Sequence, residues 1–158
     1  MSPSGLDRTT EFSFAADHVE KLLDRRLSIT SFYISVNAAI ATVIGLLLKD
    51  AQLQQELLPI AILLLLSAGL GACWIWRSLL KQYERLLDWW YARLREMESA
   101  LPDSAQLVTR EYQELYASAK SGKSSTRIGM TQRELALIWI FVGLYIVFGT
   151  GIILSLLF

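Results

Sequence analysis

The chain of 158 residues contains one cysteine, Cys73, and one histidine, His18. These counts exclude a disulfide framework, a zinc site built from cysteine and histidine, and a Cys-His catalytic pair, so we expect no metal and no cofactor. Charge is also scarce, because only 19% of the residues are charged, whereas soluble domains carry about 25%. The 15 basic and 15 acidic residues cancel, so nothing in the net charge favours nucleic acid as a partner.

One short motif imitates a nucleotide-binding loop. Gly122-Lys123-Ser124 has the form of the end of a Walker A loop, which also requires a preceding strand and a glycine five positions earlier. That position is Ala117, after a predicted helix, so we predict no P-loop. His18 lies among charged residues and is predicted to be solvated. Because no set of base, nucleophile or metal ligands remains, we expect no enzyme and assign no catalytic residue.

The sequence contains three long runs without a charged residue. They cover residues 27–48, 57–76 and 135–158, which are 22, 20 and 24 positions long. About 20 apolar residues in a helix cross a hydrocarbon core of roughly 30 Å. The sequence therefore predicts an all-α integral membrane protein with three transmembrane helices.

The basic residues predict the orientation of these spans. Lysine and arginine number four in residues 1–26, one in the loop 49–56, ten in residues 77–134 and none after residue 134. Basic residues concentrate on the cytosolic side of a membrane. We therefore expect residues 1–26 and 77–134 in the cytosol, and the loop 49–56 and the C-terminus on the periplasmic side. Trp74, Trp76 and Trp139 are predicted to be anchors at the inner interface.

The cytosolic part is predicted to be helical. After the second span, apolar residues repeat at alternating spacings of three and four, which is the pattern of a coiled-coil seam and predicts a stalk that continues this span as far as Pro102. We call these positions the stalk seam: Leu80, Tyr83, Leu87, Trp90, Leu94, Met97 and Leu101. Residues 1–26 are predicted to form an amphipathic helix with an apolar face at Phe12, Ala15, Val19 and Leu22.

Three further features are predicted between the stalk and the third span. A short helix is expected after Asp103, which would cap it with Gln106, and its apolar face would hold Val108, Tyr112, Leu115 and Ala119. Residues 121–126 are predicted to be a polar linker. Thr131 and Glu134 form a capping-box pattern that predicts the start of the third span.

Two sets of residues are candidates for contacts between copies of the chain. The first is a small-residue stripe on span one, which can admit another helix closely or line a polar pore, and we favour helix packing. The second is part of the stalk seam. The candidates are Ser31, Ser35, Asn37, Ala38, Thr42 and Gly45 on the span and Tyr83, Leu87, Trp90, Leu94 and Met97 on the stalk.

Trp89 and Tyr91 flank the stalk seam and are candidates for contact with a protein partner. Exposed aromatic side chains are enriched in binding hot spots. The alternative is that both rings pack against the N-terminal helix or against a neighbouring subunit.

Four stretches of the sequence carry a resemblance to a known family. They are Leu22-Leu23-Asp24-Arg25-Arg26, Ser31-Phe32-Tyr33-Ile34-Ser35-Val36-Asn37-Ala38-Ala39, Trp76-Arg77-Ser78-Leu79-Leu80-Lys81-Gln82-Tyr83-Glu84-Arg85-Leu86-Leu87 and Glu96-Met97-Glu98-Ser99-Ala100-Leu101-Pro102. Over residues 15 to 102 the chain resembles the RipA family of small octameric bacterial membrane proteins. The resemblance implies an inner-membrane homo-oligomer, with eight copies and no known reaction. A looser likeness, in architecture alone, is to the two-span effector modules of anti-phage signalling systems.

Two functions follow as hypotheses. The first is an oligomeric assembly or interaction protein of the bacterial inner membrane, whose cytosolic helices dock a protein partner without catalysis. The alternative is a signal-gated pore or membrane-disrupting effector, in which a ring of spans admits ions when the cytosolic helices rearrange. The expected partners are the lipid bilayer, other copies of the chain and a cytosolic protein.

Overall fold

The computed structural model describes residues 5–49, 58–101, 106–113 and 130–157, and the side chains of residues 8–49, 58–101, 106–113 and 132–154. These residues form four helices and no strand. They are α1 (Gly5–Lys49), α2 (Leu58–Ser99), α3 (Leu107–Tyr112) and α4 (Met130–Leu157). Three of them, α1, α2 and α4, are long and apolar enough to cross a membrane. The predicted all-α class with three helices able to span a membrane is confirmed.

Helices α1 and α2 are much longer than a membrane span. Helix α1 has 45 residues and α2 has 42, whereas a span needs about 20. Pro59 lies in the first turn of α2, where its missing N–H costs no helical hydrogen bond. Helix α2 ends at Ser99, three residues before Pro102. The apolar residues of α1 and of α2 thus share one continuous helix with the polar segment beside them.

The chain divides into two compact units. One unit contains Met1–Arg26 and Gln82–Ile128, and the other contains Leu27–Lys81 and Gly129–Phe158. We call the first the polar-end unit and the second the spanning unit. The three apolar runs all belong to the spanning unit.

The core of the spanning unit lies between α1, α2 and α4. Its buried members come from all three helices and include Ile44, Leu66, Ile138 and Ile152. Trp76 is also part of this core, with no exposed surface and with its ring stacked on Tyr33 at 6.0 Å between centroids. The prediction that Trp76 is an interfacial anchor is therefore wrong, because the ring packs between helices. Trp74 and Trp139 are 73% and 60% exposed.

The start of α4 contacts α1 within the spanning unit. Helix α4 begins at Met130, so Thr131 lies inside the helix rather than before it. Glu134 is buried, and its Oε1 accepts a hydrogen bond from the Thr30 hydroxyl at 3.2 Å. A polar pair therefore joins α1 and α4 close to where both apolar runs begin.

The polar-end unit packs the first half of α1 against the second half of α2. Val19 and Leu22 of α1 are buried together with Leu87 and Leu94 of α2. His18 lies beside this core, with its ring centroid 4.6 Å from that of Trp90. The prediction of a solvated His18 is therefore wrong, because the side chain is half-buried against an aromatic ring.

Helix α3 is attached to α2 by a buried carboxylate. Glu98 is 3% exposed and accepts hydrogen bonds from the N–H groups of Val108 and Thr109 and from the Thr109 hydroxyl, at 2.8 to 3.1 Å. Burial alone would raise the pKa of Glu98, but these hydrogen bonds and one from the Leu107 N–H outweigh it and lower the pKa. The Arg95 guanidinium also lies 3.9 Å from the centroid of the Tyr112 ring.

The N-terminus of α3 differs from the capping that the sequence predicts. Gln106 stands at the N-cap in a left-handed conformation with φ of 50°, and its side chain makes no cap hydrogen bond. The carboxylate of Glu98 takes this role from a different helix. Asp103, Leu115, Ala119 and the linker 121–126 lie outside the described residues.

Candidate functional site: a polar cluster between the spanning helices

Asn37 is the centre of a hydrogen-bonded cluster within the spanning unit. It has no exposed surface. Its Oδ1 accepts a hydrogen bond from the Tyr145 hydroxyl of α4 at 2.8 Å and one from the Cys73 thiol of α2 at 3.3 Å. Its Nδ2 donates to the carbonyl oxygen of Tyr33, one turn earlier, at 2.8 Å. One amide side chain therefore connects α1, α2 and α4.

Tyr145 reaches Asn37 because α2 has a glycine beside the tyrosine ring. A Cβ atom on Gly69 would lie 2.5 Å from Cζ of Tyr145 and 2.8 Å from its hydroxyl oxygen. These distances are too short for van der Waals contact, so any larger residue at position 69 would displace the ring. Gly69 thus allows the close approach of α2 and α4 that places the Tyr145 hydroxyl on Asn37.

Sequence reasoning identified Asn37, but it missed Tyr145 and Gly69. Tyr145 is a polar residue in the middle of the third apolar run, and that position was the available signal. Gly69 and Cys73 have the small-residue spacing of four that favours close helix contact. Gly45, Gly71, Gly143 and Gly151, which also lie in the apolar runs, would place a Cβ atom within 4 Å of nothing in the described part of the chain.

The structure separates Asn37 from the rest of the small-residue stripe. Asn37 faces the interior, whereas the other five positions are exposed within one chain. The Ser35 hydroxyl donates to the carbonyl of Ser31 at 3.0 Å, and the Thr42 hydroxyl donates to that of Ala38 at 2.8 Å. Two of the stripe hydroxyls are thus satisfied by their own helix. The five exposed positions of the stripe are Ser31, Ser35, Ala38, Thr42 and Gly45.

Five members of the stalk seam pack inside the polar-end unit, whereas Leu80 is buried in the core of the spanning unit. Leu87 and Leu94 are buried in the polar-end unit, and the other three seam candidates are half-buried against the same core. These three are Tyr83, Trp90 and Met97. Their packing against α1 accounts for the seam within one chain, and their contact with another copy stays a prediction.

The two candidate partner residues have different surroundings. Trp89 is 59% exposed, and its ring meets that of Trp90 edge to face at 5.0 Å between centroids. Tyr91 is half-buried and packs against the core of the polar-end unit. Trp89 is therefore the aromatic residue of this pair that offers a free surface.

The described side chains contain no group of three or more His, Cys, Asp or Glu residues that could hold a metal ion. A pocket of about 180 Å³ opens on the polar-end unit, lined by two arginines and two glutamates together with Met97 and Ala100. Two of these charged residues, Arg93 and Glu96, form an exposed ion pair at 2.8 Å.

The polar cluster around Asn37 consists of three neutral side chains, those of Asn37, Cys73 and Tyr145. Its geometry fixes the register between the three helices that carry them.

Comparison with known proteins gives one informative match. No curated protein and no solved structure matches the chain significantly. The model of the octameric membrane protein family (8xMP) matches residues 9–154, which include most of each of the three apolar helices. The match confirms the predicted likeness to octameric membrane proteins and extends it beyond residue 102, into the third span. The chain therefore belongs to the octameric membrane protein family, whose members self-associate in a membrane.

Proposed function

We propose that the chain is one subunit of an octameric assembly in the bacterial inner membrane, and that its cytosolic helices bind a protein partner without catalysis. The small-residue stripe of α1 carries the proposal, because it is exposed within one chain while the neighbouring Asn37 is buried. Small residues allow close approach between helices in a membrane, where no hydrophobic force drives association. The family match supports the same conclusion.

The first test is the stoichiometry of the purified protein. We expect native mass spectrometry in mild detergent to give a complex of eight copies. A monomer at concentrations where the protein keeps its helical circular dichroism spectrum would contradict the assembly.

The partner-binding part of the proposal is supported by Trp89. Its large exposed ring lies in the polar-end unit, where the positive-inside bias predicts cytosol. Exposed tryptophan is among the residue types that dominate binding energy in interfaces. We expect Trp89→Ala to lose a specific partner in quantitative affinity purification. Leu107→Ala is the matched control, since Leu107 is 69% exposed in the same unit. An unchanged set of partners in the Trp89 variant would remove the docking role.

A signal-gated pore, with a role in anti-phage defence, is the second candidate. The exposed hydroxyls of Ser31, Ser35 and Thr42 on one face of α1 favour it, because a ring of such faces would give a polar lining. Conductance in planar bilayers tests it. A pore predicts channel events in the wild type that Thr42→Val alters in amplitude. A ring that stays sealed with and without its signal would contradict the pore and leave the assembly.

A further inference from the structure

An aromatic and basic patch lies on the spanning unit where the apolar run of α2 ends. Trp74, Arg77 and Lys81 of α2 are spaced by three and four residues, so they share one face of the helix. Trp74 is 73% exposed, Lys81 is exposed and Arg77 is half-buried. Helix α4 contributes Trp139, which is 60% exposed. These four residues are named the boundary patch.

Arg77 is held in the boundary patch by Trp139. Its guanidinium carbon lies 5.9 Å from the centroid of the Trp139 ring, within the range of about 6 Å for a cation–π contact. In the described part of the chain, neither Arg77 nor Lys81 is in ion-pair contact with a carboxylate. The guanidinium is thus oriented by an aromatic ring that uses none of its N–H donors, and two cations stay available to an anion.

An exposed apolar face of α2 leads away from the two cations. Leu70 and Leu63 lie on the same side of the helix as Trp74 and are 42% and 45% exposed. Leu63 and Trp74 are 11 positions apart in the helix, which corresponds to about 16 Å at about 1.5 Å per residue. One leaflet of a hydrocarbon core is about 15 Å thick, half of the total. The cations, the aromatic rings and the apolar face therefore follow one another in the same order as the phosphate, the glycerol esters and the acyl chain of a phospholipid.

We propose that the boundary patch binds an anionic phospholipid. Arg77 and Lys81 donate hydrogen bonds to its phosphate, Trp74 and Trp139 lie at the level of its glycerol esters, and an acyl chain lies along Leu70 and Leu63. Clusters of basic residues at the ends of spans recognise anionic lipid headgroups in this way. The exposed apolar face favours a lipid over free phosphate, and the two cations favour an anionic headgroup over a zwitterionic one.

The test measures lipid binding to the full chain in detergent by native mass spectrometry. Phosphatidylglycerol is compared with phosphatidylcholine of the same acyl chains. We expect the wild type to prefer phosphatidylglycerol by at least tenfold, because each nearby basic residue favours an anionic lipid by about fivefold. We expect Arg77→Gln with Lys81→Gln to lose this preference. The matched control, Arg93→Gln with Arg110→Gln, removes the same charge outside the patch and should keep it.

A second variant separates loss of the site from loss of folding. Arg77→Lys with Lys81→Arg retains both charges and should retain most of the preference. No preference in the wild type, or an equal loss in the Arg93 and Arg110 control, would overturn the proposal. Displacement of bound phosphatidylglycerol by millimolar inorganic phosphate would overturn the lipid assignment, because the site would then recognise phosphate alone.

Discussion

At the scale of single residues, Asn37 depends on two side chains that come from other helices. The Tyr145 hydroxyl lies 2.8 Å from its Oδ1 and the Cys73 thiol lies 3.3 Å away. Hydrogen bonds between spanning helices contribute roughly 0.6 to 2 kcal/mol each, because even the separated helices find other partners in a membrane. The cluster is therefore a modest source of stability, and its main effect is to fix which faces of the three helices meet.

Gly69→Ala is expected to destabilise the spanning unit by about 1 to 3 kcal/mol, the usual cost of overpacking. The added methyl group would lie 2.5 Å from Cζ of Tyr145, so the ring must move away from Asn37. Thermal unfolding in detergent, followed by circular dichroism, measures the change.

Gly71→Ala is the control for this prediction. Nothing described lies within 4 Å of a Cβ atom at position 71, and alanine favours a helix over glycine by up to about 1 kcal/mol. We expect this variant to be at least as stable as the wild type. Equal destabilisation of the two variants would show that the Tyr145 contact is not the cause.

Tyr145→Phe keeps the ring and removes the hydroxyl. We expect a loss of about 1 kcal/mol, because Asn37 Oδ1 then keeps only the weaker thiol donor. Adding Tyr145→Phe to Gly69→Ala should cost less than adding it to the wild type, since the hydrogen bond is already lost. Additive losses in this double-mutant cycle would contradict the coupling of the two residues.

The sequence predicts some of these residues and not others for a physical reason. Asn37 is conspicuous because a polar side chain in an apolar run must find a partner. Its partner Tyr145 lies 108 residues away, and helical periodicity does not indicate which faces of two helices meet. His18 was misassigned for the same reason, since its local neighbours are charged and the Trp90 ring beside it belongs to another helix.

At the scale of elements, α3 depends on a residue that belongs to α2. Its six residues are too few for a helix to be stable alone, and Glu98 satisfies the N–H groups at its start. The carboxylate also favours the positive end of the helix dipole. The sequence predicted the helix from its apolar spacing, but a cap supplied from another helix leaves no local pattern.

Glu98→Gln is expected to destabilise the attachment of α3 by about 1.5 to 3 kcal/mol at neutral pH, the contribution of hydrogen bonds to a charged group. The folded state lowers the pKa of Glu98. Its stabilising effect is therefore complete above the unfolded value of about 4.3 and is lost as the pH falls through the lower, folded value.

Hydrogen exchange of the α3 amides measures this prediction in the wild type and the variant. We expect the difference between the two proteins to shrink as the pH is lowered from 5 to below the ordinary glutamate pKa of about 4.3. Glu96→Gln is the control, because Glu96 is 66% exposed and pairs with Arg93. A difference that does not change with pH would contradict the role of the ionised carboxylate.

At the scale of the whole molecule, the small-residue stripe is expected to be a contact between copies. Thr42→Leu places a large side chain on the stripe and should shift the complex toward smaller species in native mass spectrometry. Val43→Leu is the control, because Val43 is 43% exposed on the same helix but lies off the stripe. An intact complex in the Thr42 variant would mean that the copies meet elsewhere.

The orientation of the chain in the membrane is a second prediction at this scale. Basic residues number four, one, ten and none in the successive flanks of the spans, which predicts a cytosolic N-terminus and a periplasmic C-terminus. Reporter fusions at residues 52 and 158 should both be periplasmic. A cytosolic signal from either fusion would contradict this orientation.

The buried thiol of Cys73 can be used to detect separation of the spanning helices. It is the one thiol in the sequence, it is 1% exposed, and its sulfur faces Asn37. A maleimide can react with it only when the helices packed around it move apart, so the labelling rate in intact membranes reports how often the core of the spanning unit opens. No engineered cysteine is needed, and a signal that rearranges the spanning helices would register as faster labelling of an unmodified chain.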